Sequence, residues 1–198
     1  MRIGTISARL AGLCAAFYLM LTAALLLSIL HRTGGHFVYA LDDPYIHLAL
    51  AENLAHGHYG LNATEFASPA SSILWPFLLV PFSGTSVHGL MPLVLNILFG
   101  TTAAALLGYA AAQYRSGSWS KTASDNGDAT LHWQHIVLGA LLVLCANLAS
   151  LTIVGMEHVL QILLAICCAF GVVAILQGRT VPVWCLAAGL LAPMIRYE

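Results

Sequence analysis

The chain has 198 residues, of which 60% are hydrophobic and 8% charged, with 7 basic and 8 acidic side chains, 9 histidines and a formal net charge of −1. Soluble domains carry roughly 25% charged residues, and a fold of this size could not hide so much apolar surface, so a soluble domain is excluded. A chain without a basic stripe is also a poor partner for nucleic acid.

The first apolar run, residues 10–30, follows Arg2 and Arg9 and contains no acid or base. It is longer than the core of a secretory signal, usually about 7 to 15 residues, and further runs follow it, so it reads as a retained first helix. Residues 90–112, 136–154 and 159–177 are likewise free of acids and bases. Each is long enough to cross the hydrocarbon layer, which takes about 20 residues. The last run, 181–195, is shorter and ends three residues before the chain does. It reads as a helix near its boundary in a chain cut short, so residues 1–198 would be the amino-terminal part of a single transmembrane domain. The expected fold is an all-α membrane protein of about five transmembrane helices.

Orientation follows from the basic residues. With a cytoplasmic amino terminus, Arg2, Arg9, Arg115, Lys121 and Arg179 fall inside, and Arg32 and Arg196 outside. This requires that SSILWPFLLVPF, residues 71–82, not cross. Twelve residues of helix rise only about 18 Å, so this piece is expected along the outer interface with Trp75 as its anchor. Residues 31–88 then form an outer segment, and residues 113–133, rich in Ser, Gly, Asp and Thr, an inner loop.

The five cysteines, Cys14, Cys145, Cys167, Cys168 and Cys185, all lie in apolar runs and read as small hydrophobes, with neither a disulfide framework nor a metal knuckle. His56 and His58 read as interfacial polar residues before they read as a metal pair.

The outer segment holds the informative stretch, Leu41 to Leu54. An Asp before Pro44 reads as a helix start with its carboxylate on free amides. Ile46, Ala49, Leu50, Asn53 and Leu54 recur at helical spacing and predict a short amphipathic helix on the membrane surface. One acid is enough for a cap. The second of Asp42 and Asp43 can accept a proton from a bound hydroxyl, or the two can hold a divalent cation such as magnesium or manganese; alternatively both merely solvate the helix start. Glu157, in Val154-Gly155-Met156-Glu157-His158, lies at a turn on the same outer face. An ionisable group at that depth is costly unless paired, hydrated or used, although a tight hairpin could also leave it in water. Asn147 and Gln161 are candidates for hydrogen-bonding glue between spans.

The order of a basic start, one span, DDPYIHLALAENLAHGHYGLNATE, SPASSILWPFLL, a long span and SLTIVGMEHVLQILL resembles the amino-terminal part of polytopic glycosyltransferases with the GT-C fold, among them bacterial membrane mannosyl- and arabinofuranosyltransferases and lipid A aminoarabinose transferases. On that resemblance the acidic motif falls on Asp42 and Asp43, and a small-residue stretch on residues 57–60. An Asn-Pro-Gly-Glu element keeps its two ends at Asn62 and Glu65. An element over residues 70–75 keeps Trp75 but lacks the family's Tyr and Pro. Gly155-Met156-Glu157 is similar to the family's Gly-Leu/Met-Glu turn, and Arg196-Tyr197-Glu198 to the start of its Arg-Pro-Glu/Asp-Gly loop.

The resemblance implies transfer of a sugar from a polyprenyl-phosphate carrier in the bilayer to a glycan, lipid or protein hydroxyl, at the outer face of a bacterial inner membrane. Direct displacement at the anomeric carbon inverts it, and a carboxylate takes the hydroxyl proton late in the step. Asp42 or Asp43 is the expected base, with the other acid positioning acceptor or cation, while Glu65, Glu157 and His158 are weaker lining residues. A phosphate-bearing donor also needs a cation, and the outer face offers Arg32 and Arg196. The competing expectation is a membrane transport or assembly subunit with a cation-binding acidic rim, which broken helices and midplane charges would favour.

Overall fold

The computed structural model describes residues 5–62, 65–67, 69–115 and 131–196. Arg2, Ala63, Thr64, Lys121 with most of the inner loop, Tyr197 and Glu198 lie outside the described residues. The described chain is all helical. In order it runs α1 (Thr5–Arg32), α2 (Asp43–Ala55), α3 (Leu74–Leu79), α4 (Met91–Arg115), α5 (Trp133–Cys145), α6 (Leu148–Val154), α7 (His158–Leu176) and α8 (Val183–Ile195), with single 3-10 turns at Val80–Phe82 and His88–Leu90.

Four helices are long and apolar enough to span a bilayer: α1, α4 with its preceding turn, α5 and α6 taken together over Trp133–Val154, and α7. Their outward side chains match that solvent, since Leu27 is 66% and Leu176 80% exposed. The protein is therefore a multi-pass membrane protein. The fifth apolar run forms a helix of only 13 residues, a rise of about 20 Å against a hydrocarbon core of about 30 Å.

Small residues bring α1 and α4 together. Gly100, Ala104 and Gly108 follow one another at spacings of four along α4, and Ala104 is fully buried. A Cβ on Gly108 would stand 2.6 Å from the Leu10 carbonyl oxygen, and one on Gly100 would collide with the Tyr18 ring. In lipid, where apolar burial between helices gains little, such close approach supplies the packing energy. Hydrogen bonds join it: the Tyr18 hydroxyl lies 2.7 Å from Thr152 Oγ1 and 3.2 Å from the Asn96 carbonyl, and Asn96 Nδ2 donates to the Met156 carbonyl at 2.8 Å. The interhelical glue is thus Tyr18, Asn96 and Thr152. Asn147 and Gln161, expected in that role, make no hydrogen bond to another span among the described residues. Asn147 instead breaks the third span in left-handed geometry at φ 51°, and it is exposed.

Residues 71–82 do not span. They hold only the six residues of α3 and a 3-10 turn, packed against α2. Trp75, however, is not an interfacial anchor: it is fully buried in the core near Phe99, with ring centroids 6.4 Å apart. The apolar run around it was long enough to fold back onto the bundle, so the indole is covered by protein rather than by lipid headgroups.

Candidate active site

Helix α2 begins at Asp43, with Pro44 in its first turn and Asp42 at the N-cap. The cap carboxylate does not do the expected work. Asp42 has helical backbone angles (φ −81°, ψ −24°) and makes no side-chain cap bond; only its carbonyl accepts, from Tyr45 N and Ile46 N. The buried stripe of α2 is Pro44, His47, Leu48, Leu50 and Ala51 rather than the face through Ile46, Ala49, Asn53 and Leu54. A reading of apolar periodicity misplaces the stripe because a histidine occupies its centre.

His47 is buried because Glu157 is there to meet it. Glu157 follows Gly155, which closes α6 at φ 80°, and precedes α7. Its side chain is fully buried, so the turn does not leave it in water. Ser71 Oγ donates to Glu157 Oε1 at 2.8 Å, and His47 Nε2 stands 3.5 Å from Oε2. That second contact is an ion-pair distance too long for a well-formed hydrogen bond, and Oε2 has no hydrogen-bond partner within the described chain. Burial alone would push the Glu157 carboxyl up. The His47 contact, its own backbone amide and Ser71 outweigh that and hold it below the ordinary carboxylate value.

A cleft of about 280 Å³ opens beside this cluster, lined by Asp43, His47, Ser71, His158 and Arg196, with Leu41, Ile46 and Met156 giving it an apolar side. Asp43 and His47 lie one helical turn apart on the same face of α2. Arg196, just past α8, approaches His158 Nδ1 with its Nη1 at 3.5 Å. The cleft thus brings a carboxylate on α2 and a guanidinium after α8 to the lining of one small volume, at the end of the helix bundle.

The other expected residues are elsewhere. Asp42 is exposed and does not line the cleft. Glu65 is exposed in a tight loop, reached by Asn62 Nδ2 at 3.4 Å. In that loop His58 Nε2 is shared between the Asn62 and Glu65 carbonyls, while His56 Nδ1 bonds the Glu52 carbonyl at 2.8 Å. Each histidine of this pair therefore spends a ring nitrogen on backbone. Among the described residues no group of three or more His, Cys, Asp or Glu side chains is placed to hold a metal ion.

His47 and Ser71 are the cleft residues that sequence reasoning missed. For His47 a signal existed, since it stands four residues after Asp43 and thus on the same helical face. No family profile matches the chain, nor does any curated protein or any solved structure.

Proposed function

We propose that the chain is the amino-terminal part of a membrane glycosyltransferase of the GT-C type, moving a sugar from a polyprenyl-phosphate donor to an acceptor hydroxyl at the outer face. The observation that carries this reading is that Asp43 and Arg196 line one cleft at the bundle end. A lipid-phosphate donor needs its prenyl chain in the bilayer and its phosphate at a cation near the boundary. Arg196 can bind that phosphate bidentately. Leu41, Ile46 and Met156 offer the apolar side along which the first isoprene unit would lie. Asp43, in the same lining, accepts the proton of the attacking hydroxyl as the bond to the anomeric carbon forms and the phosphate departs with its electron pair.

A second reading, transport, draws on one observation. The third span is broken at Asn147, and an apolar crevice of about 310 Å³ opens there between Leu21, Val143 and Leu148. No ionisable side chain lines it. Its polar lining is limited to Asn147 and Ser150, whereas charged side chains gather in the cleft at the bundle end, and that favours surface chemistry.

The test is transfer rate per folded enzyme in liposomes, with the full-length polypeptide and a polyprenyl-phosphate sugar. Asp43→Asn keeps size but removes basicity and should lower turnover by roughly 10²-fold or more, while Asp42→Asn should change it little. Equal losses would take the base away from Asp43, and full activity of both variants would make the acids structural.

A further inference from the structure

Within the cleft wall, His47 is only 2% exposed, yet its two ring nitrogens differ completely in what they meet. Nε2 faces the Glu157 carboxylate at 3.5 Å, whereas Nδ1 has no hydrogen-bond partner. A buried polar atom left without a partner destabilises the fold, so one kept beside a cleft calls for an explanation such as a ligand. A carboxylate next to one nitrogen of an imidazole settles the tautomer. It holds the proton on the near nitrogen and leaves the far one as an acceptor. The remaining charged or titratable groups lining the cleft are Asp43 on α2, His158 at the start of α7 and Arg196 after α8. With a hydrogen on Nε2, the Nδ1 lone pair can be satisfied only by a ligand that donates, and Asp43 one turn away is an acceptor of the same kind.

We propose that Glu157 fixes His47 as the Nε2–H tautomer, so that His47 Nδ1 and the Asp43 carboxylate together bind a ligand bearing two hydroxyl donors, the hydroxyl acceptor of the transfer reaction. This rests on the glycosyl-transfer reading for the identity of the ligand, but the tautomer itself does not. His47 is here a positioning residue for the acceptor, and Asp43 still receives the proton.

Two isosteric substitutions separate this role from a structural latch. His47→Gln places an amide N–H where Nε2 was, preserving the contact to Glu157 while removing the Nδ1 acceptor. His47→Asn places a carbonyl near the Nδ1 position and gives up the contact to Glu157. In the full-length protein in liposomes, His47→Gln should raise the KM for the acceptor about tenfold or more with kcat little altered, whereas His47→Asn, which keeps an acceptor near the Nδ1 position, should raise it clearly less than His47→Gln does. Thermal unfolding of both variants is followed alongside. A latch predicts the reverse order, with His47→Gln near normal and His47→Asn impaired, and that order overturns the proposal. Separately, the ¹⁵N imidazole shifts of His47 should report the Nε2–H tautomer in the wild-type protein and a mixture in Glu157→Gln. A dominant Nδ1–H form in the wild type overturns the assignment whether or not transfer is observed. Absence of transfer by the wild-type protein overturns the glycosyl-transfer reading alone, because the tautomer measurement still decides the role of His47.

Discussion

A carboxyl group with no exposed surface is several kcal/mol more costly to ionise than one in water, unless its neighbours return that energy. Glu157 receives it from Ser71 and His47, and its proton affinity is accordingly held below the ordinary value near 4.5. The sign of the linkage follows. With the folded value depressed, ionised Glu157 contributes stability that is fully present above about pH 4.5 and disappears as the pH falls through the lower folded value. The apparent melting temperature of the detergent-solubilised protein should therefore exceed that of Glu157→Gln by a margin that shrinks between pH 6 and pH 3. A margin constant over that range would mean that the carboxylate charge contributes nothing. At this scale the sequence was only partly legible. Glu157 stood out because acids are rare between apolar runs, but its partner did not: a histidine in a short helix looks like any polar residue until a buried acid is placed against it. Asp42 and Asp43 were indistinguishable for a related reason. Which of two adjacent side chains enters a cleft depends on where the first helical turn starts, and that turn is set here by α2 docking through His47 rather than by a cap bond.

Among the elements, the turn between α6 and α7 decides where Glu157 sits. Gly155 adopts φ 80°, and the Tyr39 ring lies directly on its Cα, where a Cβ would collide with ring carbons. Tyr39 is itself pinned: its hydroxyl donates to the Gly89 carbonyl at 3.0 Å and accepts from Leu93 N at 3.1 Å. Burial pushes that phenol well above its usual range, so it stays a neutral donor. The turn carrying Glu157 is thereby clamped to the start of α4. Gly155→Ala should destabilise the protein by about 1–3 kcal/mol, part from the left-handed backbone and part from the ring. In a Tyr39→Ala background the ring part vanishes, and the penalty of Gly155→Ala should drop to about 1 kcal/mol as read by thermal unfolding; an unchanged penalty would assign all of it to the backbone. The spans were legible from sequence because run length is a direct reading of bilayer thickness. The break at Asn147 was not, since neither Gly nor Pro marks it and a lone Asn in an apolar run reads equally as hydrogen-bonding glue between spans. The non-spanning character of residues 71–82 was also legible from length alone, whereas the burial of Trp75 depended on a fold-back that no local pattern announces.

For the whole molecule, the antiparallel course of the helices sorts the charges. Leu10 meets Gly108, and Tyr109 stacks near Phe170, which in turn lies near Trp184, so the start of α1, the end of α4 and the α7–α8 connection share one end of the bundle. That end carries Arg9, Arg115 and Arg179. The contacts of His47 with Glu157, of Tyr39 with Gly155 and of Arg196 with His158 define the opposite end, which holds the cleft. Basic residues prefer the cytoplasmic side of short loops, so the expected outcome of a sidedness measurement is the end rich in arginine inside and the cleft outside. Lys121 belongs to the loop after α4 and should share the inner side. Single cysteines placed beside Glu65 and beside Lys121, in a background lacking Cys14, Cys145, Cys167, Cys168 and Cys185, distinguish the two sides with an impermeant thiol reagent on intact cells. The position beside Glu65 should label before lysis and the one beside Lys121 only after it. The reverse pattern would put the cleft in the cytoplasm and remove an externally delivered acceptor. Equal labelling of both before lysis would mean that α4 does not carry the chain across, and the assignment of sides would fail with it.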